Sequence, residues 1–231
     1  MSGFAWYLIS KTDWWEKPWN TWLPCKTEER VASFELKAFY LTALGKYLWT
    51  AFSCAFLEAH RKDHIEMMLH HVATAALIYG SMMNGYMQFG LLVLFVHDVS
   101  DIPLDFMLMS NMLKLEGPPF LFFVEISFVI NAFTWAYFRL YIFPFYLIDS
   151  ALIGFHTLCA DAHNGDILAN LFPSTMPFWL FANVMLVFLA VLHVWWFYLI
   201  LRIAYKLIMG IKAADIADDE YEGGAKKKKT K

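Results

Sequence analysis

Charged residues are scarce in this sequence, where Asp, Glu, Lys and Arg together make up 17% of 231 residues. An average soluble domain contains about 25%. Hydrophobic residues instead reach 59%, with 22 Phe, 11 Tyr and 10 Trp. The 18 basic residues do not outnumber the 21 acidic ones, so no nucleic-acid partner is expected. This composition excludes an ordinary soluble domain and favours a chain embedded in a lipid bilayer.

Cysteine is equally rare. Three cysteines occur, at positions 25, 54 and 159, and no pair has the CxxC spacing. An odd number without that spacing predicts neither a disulfide framework nor a zinc site. The sequence therefore predicts a site without metal and without a bound cofactor.

The N-terminus lacks the basic residues that open a cleavable signal peptide. Its first residues, "MSGFAWYLIS", are apolar but too few to cross a bilayer. Residues 1–10 are expected to form a partial membrane span whose beginning is missing, or an interfacial helix. Residues 11–32 combine charges with four tryptophans, which is typical of a loop at the level of the lipid headgroups.

Alternating strands of about 10 residues, the mark of a membrane barrel, are lacking. Long apolar runs are present instead, and several exceed the roughly 20 residues that a helix needs to cross a bilayer. The predicted fold class is all-α: a polytopic transmembrane helix bundle with about five full spans and the N-terminal partial span. Pro144 is expected to break the fourth span. The predicted spans are Phe34–Leu57, Glu66–Met87, Phe89–Met112, Phe120–Ile148 and Phe178–Tyr205.

The distribution of Lys and Arg predicts the orientation. Asp149–Thr175 contains neither residue, whereas Arg202, Lys206 and Lys212 follow the last span. The C-terminus is therefore expected in the cytosol, and the loop 11–32 on the lumenal side. Residues 33–209 form the predicted membrane domain, and residues 210–231 a disordered, acidic and lysine-rich cytosolic tail.

The lysine cluster of that tail has three readings. It is a solvated tail, a surface for anionic lipid, or a retrieval signal, because "KKTK" fits the dilysine KKxx pattern of the endoplasmic reticulum.

The second span carries one polar face. His70, Thr74, Leu77, Ser81, Asn84 and Gln88 follow each other at intervals of four and three residues, so they share one side of a helix. His71 lies about 100° further around the helix. His70 is therefore predicted to face a polar seam that the mostly apolar stripe of His71 does not share.

The third span carries acids on one face. Asp98, Asp101 and Asp105 are spaced by three and four residues, and His97 precedes Asp101 by four. Ionisable groups in a span usually face the bundle interior or a water-filled cavity. The short turn between the two spans makes them antiparallel neighbours, so a cavity opening from the cytosol is expected to hold both seams.

This constellation suits acyl transfer. An imidazole can act as a general base or carry an acyl group, and a carboxylate can fix its tautomer. Two alternatives remain: a polar network that only fixes helix packing, and a proton relay of a transporter. Elsewhere, His193 is expected to pack in the core, and Arg139 to snorkel or to form an ion pair.

A metal-dependent oxidase is an alternative function with a different chemistry. Membrane di-iron enzymes use HxxxH and HxxHH boxes, and "HRKDHIEMMLHH" contains an HxxxH. No HxxHH occurs, and the remaining histidines come singly. The sequence therefore disfavours this reading.

The segment "RKDHIEMMLHHVATAALIYGSMMNGYMQFGLLVLFVHDVSDIPLDFMLM" resembles the signature of the ceramide synthases, within the TLC-domain superfamily. The signature has RKD, a histidine pair, and HDxSD followed by an acidic residue. Departures are His64, Gln88, Asp105 and Leu108, where the family usually has Phe, Arg, Glu and Lys. The matching positions are Arg61, Lys62, Asp63, His70, His71, Thr74, Ser81, Asn84, Gly90, His97, Asp98, Ser100, Asp101 and Asp105.

The resemblance implies transfer of a fatty acyl group from acyl-CoA, as co-substrate, to the amine of a sphingoid base. It implies catalytic roles for His70, His71, Asp98 and Asp101 and a membrane of the endoplasmic reticulum. Supporting polar residues would be His97, Thr74, Ser81, Asn84 and Asp105. Arg61 and Lys62 are candidates for the phosphates of coenzyme A, or are only markers of the cytosolic side.

Two points stay open at this stage. The chain could act as an oligomer with itself or with another chain. A non-catalytic, TLC-type protein that binds or senses lipids is the alternative function, although such a relative would be expected to lack the histidine pair or the HDxSD acids.

Overall fold

The fold is built from helices throughout the part of the chain that the structure describes. The structure is a computed structural model, and it describes residues 1–25, 29–57, 63–113, 123–154 and 178–209. The helices are α1 (Ser2–Ile9), α2 (Phe34–Phe56), α3 (His64–Met83), α4 (Met87–Met112), α5 (Phe123–Trp135, continued by Ala136–Ile148 and Ser150–Gly154) and α6 (Trp179–Ile208). A short 3₁₀ helix covers Pro18–Trp22.

The ends of the helices follow local sequence signals. Ser33 caps α2, because its hydroxyl accepts a hydrogen bond from the backbone N–H of Leu36 at 3.2 Å. Glu35 lies in the first turn, where a negative charge is favourable. Gly85 occupies the turn between α3 and α4 with a φ of 74°, a conformation that glycine adopts without strain. These bounds agree closely with the predicted spans.

Pro144 does not break the fourth span, so that prediction was wrong. The helix continues through Pro144 with wider, π-helical turns that extend to Gly154. The wide turns still use the carbonyl of Pro144, which accepts a hydrogen bond from the backbone N–H of Asp149. The wider winding is a local adjustment that keeps a proline within a helix.

The bundle surrounds an apolar core with a few buried polar groups. α3 packs chiefly on α2 and α6, whereas α4 packs chiefly on α5 and α1. All six helices contribute side chains to this core. Among the most deeply buried are Phe39, Tyr40, Leu91, Leu92, Phe143, Leu189 and His193.

The outer faces of the helices are apolar. On α6 the exposed positions repeat at intervals of three and four residues: Val184, Val187, Val191, Val194, Tyr198, Leu201 and Tyr205. A continuous exposed apolar stripe of this kind fits a lipid environment. By length and composition, the described helices include two candidate membrane spans, Phe123–Ile153 and Trp179–Lys206.

The predicted count of five full spans is therefore not confirmed. α2 contains Glu35, Lys37 and Lys46, and α4 contains three aspartates, which weakens their apolar signal. Crossing of the bilayer by α2, α3 and α4 stays a prediction.

The N-terminal segment packs against the bundle. Ala5, Leu8 and Ile9 of α1 are buried, and the Trp6 ring stacks on Phe95 of α4. Cys25 is part of a disulfide bond, which corrects the prediction made from the odd number of cysteines. Pairing depends on distance in the fold, which sequence spacing alone does not reveal.

Several predicted features lie outside the described residues. They are Arg61 and Lys62, most of the lumenal loop before α6, and the whole tail 210–231.

Candidate functional site

Three histidines from three helices meet in the middle of the bundle. His70 of α3, His97 of α4 and His193 of α6 are 7%, 3% and 0% exposed. The ring centroid of His70 lies 6.3 Å from that of His97 and 6.4 Å from that of His193. His97 and His193 are closer, with centroids 4.9 Å apart. We call these three residues the histidine cluster.

Aromatic rings enclose the histidine cluster. The Trp196 ring meets His70 edge-on at 5.3 Å, and Phe143 contacts both His97 and His193 at 5.1 Å. The indole N–H of Trp135 donates to the backbone carbonyl of His193 at 3.2 Å. The cluster is therefore held rigidly and kept from bulk water.

Hydrogen bonds fix the tautomers of two members. His97 Nδ1 lies 2.7 Å from the carbonyl oxygen of Val93, so this nitrogen carries the proton and donates. His97 Nε2 of the neutral ring is then an acceptor, and it lies 3.2 Å from His193 Nε2. His193 must therefore donate from Nε2, which leaves its Nδ1 as an unprotonated lone pair.

The carboxylates of α4 pair with cations from neighbouring helices. Lys46 of α2 donates to Asp98 at 2.8 Å. Arg139 of α5 pairs with Asp101, and its guanidinium also donates to the hydroxyl of Ser100 at 2.7 Å. The sequence analysis expected Asp98 or Asp101 to orient His70, but among the described contacts neither carboxylate bonds to it.

Arg139 connects the acidic pair to the histidine cluster. Its side chain is 4% exposed and lies 4.2 Å from the centroid of the Trp135 ring. It also approaches the backbone carbonyl of His97 at 3.4 Å. Of the two predicted roles for Arg139, snorkelling or pairing, the structure has pairing.

The two adjacent histidines differ in burial. His70 is buried in the cluster, whereas His71 is half-buried beside it, with ring centroids 5.6 Å apart. The predicted polar face of α3 thus points inward over His70, Thr74 and Ser81, which are all buried.

An apolar cavity of about 660 Å³, its open part included, begins at His97. It runs along α3, α4 and α6 towards the α3–α4 turn and ends near Trp22, Tyr86 and Trp179. Its polar lining is limited to a few groups, among them Thr74, Ser81, His97 and Asn183. The space extends towards the end of the bundle that is predicted to be lumenal, and the expected opening from the cytosol stays a prediction.

Two predicted members of the polar cavity lie elsewhere. Asn84 donates to the carbonyl of Gly80 at the end of α3, and Asp105 is exposed. Neither lines the cavity. Helical spacing correctly placed each residue on the polar face of its helix. Both residues, however, lie about a turn or more beyond the section of that face that is buried in the bundle.

Tyr40 of α2 lines the cavity beside Ser81 and Gly90. The hydroxyl of Ser81 donates to the Tyr40 hydroxyl at 3.3 Å. A Cβ atom added at Gly90 would collide with the same oxygen. Glycine at position 90 is therefore what allows Tyr40 to reach this point.

The loop below the cavity is fixed by Arg30. Its guanidinium donates to the carbonyls of Trp22 and Pro24 at 2.6 and 2.8 Å. Burial lowers the pKa of Arg30 to about 10, so the group stays charged at neutral pH. This anchor holds Trp22 at the end of the cavity.

Sequence reasoning missed two residues of the site, His193 and Lys46. His193 was expected to be a packing residue, yet it bonds directly to His97. Lys46 was assigned no role from the sequence, yet it pairs with Asp98. In the sequence, each of these residues is a polar side chain within a largely apolar stretch of its helix. Such a residue usually has a polar partner inside the bundle.

The family of the chain follows from comparison with known proteins. A family model described as the TLC domain matches residues 1–202. The chain belongs to the TLC domain family, as the histidine pair and the HDxSD motif had indicated.

Curated relatives with moderate identity carry related names. ASC1-like protein 1 of Oryza sativa subsp. japonica is 31% identical over 215 residues, covering 93% of this chain and 63% of the relative. Ceramide synthase 1 of Homo sapiens is 29% identical over 180 residues, with coverage of 76% and 47%. Ceramide synthase LOH1 of Arabidopsis thaliana is 32% identical over 203 residues, with coverage of 84% and 61%.

The chain thus spans about half to two thirds of the length of these relatives (47% to 63%).

Proposed function

We propose that this chain transfers a fatty acyl group from acyl-CoA to the amine of a sphingoid base, giving ceramide or dihydroceramide. The observation that carries the proposal is the position of His97, which faces the apolar cavity while its ring stacks 6.3 Å from His70. An acyl chain in the cavity would thereby present its carbonyl to the histidine cluster. The names of the curated relatives support the same reaction.

The cavity fits a fatty acyl chain better than a polar substrate. Its walls are almost entirely apolar, with Leu77, Ile78, Leu94, Leu186 and Leu189 among them. Burial of methylene groups contributes about 0.8 kcal/mol each, so a long chain would bind there strongly. Arg61 and Lys62 stay candidates for the phosphates of coenzyme A.

His70 is the proposed reactive imidazole. It acts as general base towards the amine or carries the acyl group, and either role requires a neutral ring in a site that excludes water. Its burial and its contact with His97 support this choice over His71. Asp98 and Asp101 have an indirect role. Their ion pairs with Lys46 and Arg139 fix the part of α4 that carries His97.

The proposed location is the membrane of the endoplasmic reticulum, with the C-terminus in the cytosol. The apolar outer faces of α2, α5 and α6 support immersion in a bilayer. A partner chain, identical or different, is compatible with this arrangement.

The test is an acylation assay in microsomes from cells that lack their own ceramide synthases. The wild-type chain and a His70→Ala/His71→Ala variant receive sphinganine and a panel of acyl-CoAs, and N-acylated product is measured by mass spectrometry. Product from the wild type alone is expected. Folded, membrane-inserted protein that gives no product with any acyl-CoA would favour a non-catalytic lipid-binding protein of the same family.

A further inference from the structure

The hydrogen bond between His97 and His193 joins two helices that are far apart in sequence. The two Nε2 atoms lie 3.2 Å apart, and both rings are buried. Of the four ring nitrogens, three are engaged: His97 Nδ1 on Val93, and the two Nε2 atoms on each other. The fourth, His193 Nδ1, is buried and has no hydrogen-bond partner.

The His97–His193 pair can accept one proton, at His193 Nδ1. If a proton binds at His193 Nδ1, the Nε2–H···Nε2 bond and the bond to Val93 both remain, and the positive charge is shared by two rings. A buried nitrogen without a hydrogen-bond partner otherwise lowers the stability of the fold. Such groups are rare in folded proteins and call for an explanation.

The carboxylates of the site already serve as counter-charges for two cations. Asp98 and Asp101 are each held by a cation, Lys46 and Arg139. Protonation of either would leave that cation without its counter-charge. The titratable and charged groups that face His193 from the neighbouring helices are His70 of α3, His97 of α4 and Arg139 of α5.

We propose that His193, bonded to His97, is the proton acceptor that serves His70 during acyl transfer. This inference rests on the proposed function and adds a residue outside the histidine pair and the HDxSD motif. His193 acts through the other two histidines, so it is a positioning and proton-accepting residue that does not touch the substrate.

The amine nitrogen forms its bond to the acyl carbon, and the C–S bond to coenzyme A breaks with the electron pair leaving on sulfur. The proton lost by the amine passes by way of His70 to the His97–His193 pair. The pair then returns it to the thiolate, which leaves as the thiol, and the pair is neutral again.

His193→Gln separates proton transfer from packing. A glutamine amide can still donate a hydrogen bond to His97 Nε2, but it cannot take up a proton. We expect the variant to melt like the wild type while kcat falls by roughly 100-fold, the lower range for loss of acid–base catalysis, with KM little changed. The acid limb of the pH profile of kcat should also shift. Val194→Ala, an exposed neighbour on α6, is the control and should match the wild type in both respects.

A wild-type kcat and pH profile in His193→Gln would overturn the inference and leave His193 a packing residue. A wild-type chain without acylation activity would instead overturn the proposed function. The pair itself is testable without turnover, by a ¹⁵N–¹⁵N coupling across the Nε2–H···Nε2 bond in histidine-labelled wild-type protein. This measurement keeps the proposal testable if His193→Gln does not fold. Absence of the ¹⁵N–¹⁵N coupling in the wild-type protein would contradict the proposal.

Discussion

Lys46 Nζ lies 2.8 Å from a carboxylate oxygen of Asp98, whose side chain is 4% exposed. This contact joins α2 to α4 beside the histidine cluster. It explains a lysine in the middle of the helix, because the ammonium group reaches a buried charge while its own side chain stays 42% exposed. Asp98 therefore acts as an anchor between helices in this structure.

Removing the lysine should leave the Asp98 carboxylate buried without its counter-charge. We expect Lys46→Met to lower the free energy of unfolding by about 1–3 kcal/mol, measured by thermal melting in detergent. Lys11→Met is the matched control, because the Lys11–Glu35 pair is exposed on both sides and such pairs contribute little. Equal losses for the two variants would contradict the account.

Arg139 should be more sensitive still, because its guanidinium is buried and holds three groups of α4. Arg139→Gln leaves Asp101 without its cation and is expected to cost about 3–5 kcal/mol. Adding Asp101→Asn should recover part of that loss, which a double-mutant cycle measures. If the free-energy losses of the two substitutions are simply additive, Arg139 and Asp101 do not form the ion pair that the structure shows.

The contact between Gly90 and Tyr40 gives a test of the cavity wall. Gly90→Ala places a methyl group on the Tyr40 hydroxyl and should destabilise the protein by about 1–3 kcal/mol, the usual cost of overpacking. Tyr40→Phe in the same chain removes that oxygen and should relieve most of the loss. Gly45→Ala, where a Cβ meets nothing within 4 Å, should be neutral or stabilising. Persistence of the loss in the double variant would show that the clash is not its cause.

The depth of the cavity should set which acyl chains are used. Leu186 is 4% exposed and lines the cavity, whereas Val187 is 45% exposed on the outer face of the same helix. Leu186→Phe should lower the ratio of long-chain to short-chain product roughly tenfold or more, and Val187→Phe should leave it unchanged. The same acyl-CoA panel, analysed by mass spectrometry, measures both. A similar shift in both variants would mean that the cavity does not hold the acyl chain.

Sequence patterns predicted individual helices better than the relations between them. The run of apolar residues predicted α6 to within three residues at either end, and the spacing of His70, Thr74 and Ser81 predicted the inward face of α3. Periodicity within one helix does not reveal which neighbour faces it, so the Lys46–Asp98 and His97–His193 contacts could not be derived. Asp105 shows the same limit, since a helix face that is buried in the middle of the bundle can be exposed one turn further on.

Pro144 was misjudged for another reason. Proline ends or kinks a regular α-helix because its ring clashes with the preceding turn. Wider turns remove that clash, and the packing of Phe143 and Leu147 in the core favours continuation of the helix. The sequence contains no local signal for that packing.

The central claim is that His70, inside the histidine cluster, is the imidazole that reacts. Its most direct test compares His70→Ala and His71→Ala separately, with sphinganine and acyl-CoA in microsomes that lack other ceramide synthases. The account predicts that His70→Ala abolishes N-acylation and that His71→Ala retains a measurable part of it. Turnover that survives in His70→Ala but is abolished in His71→Ala would contradict the assignment of His70 as the reactive imidazole.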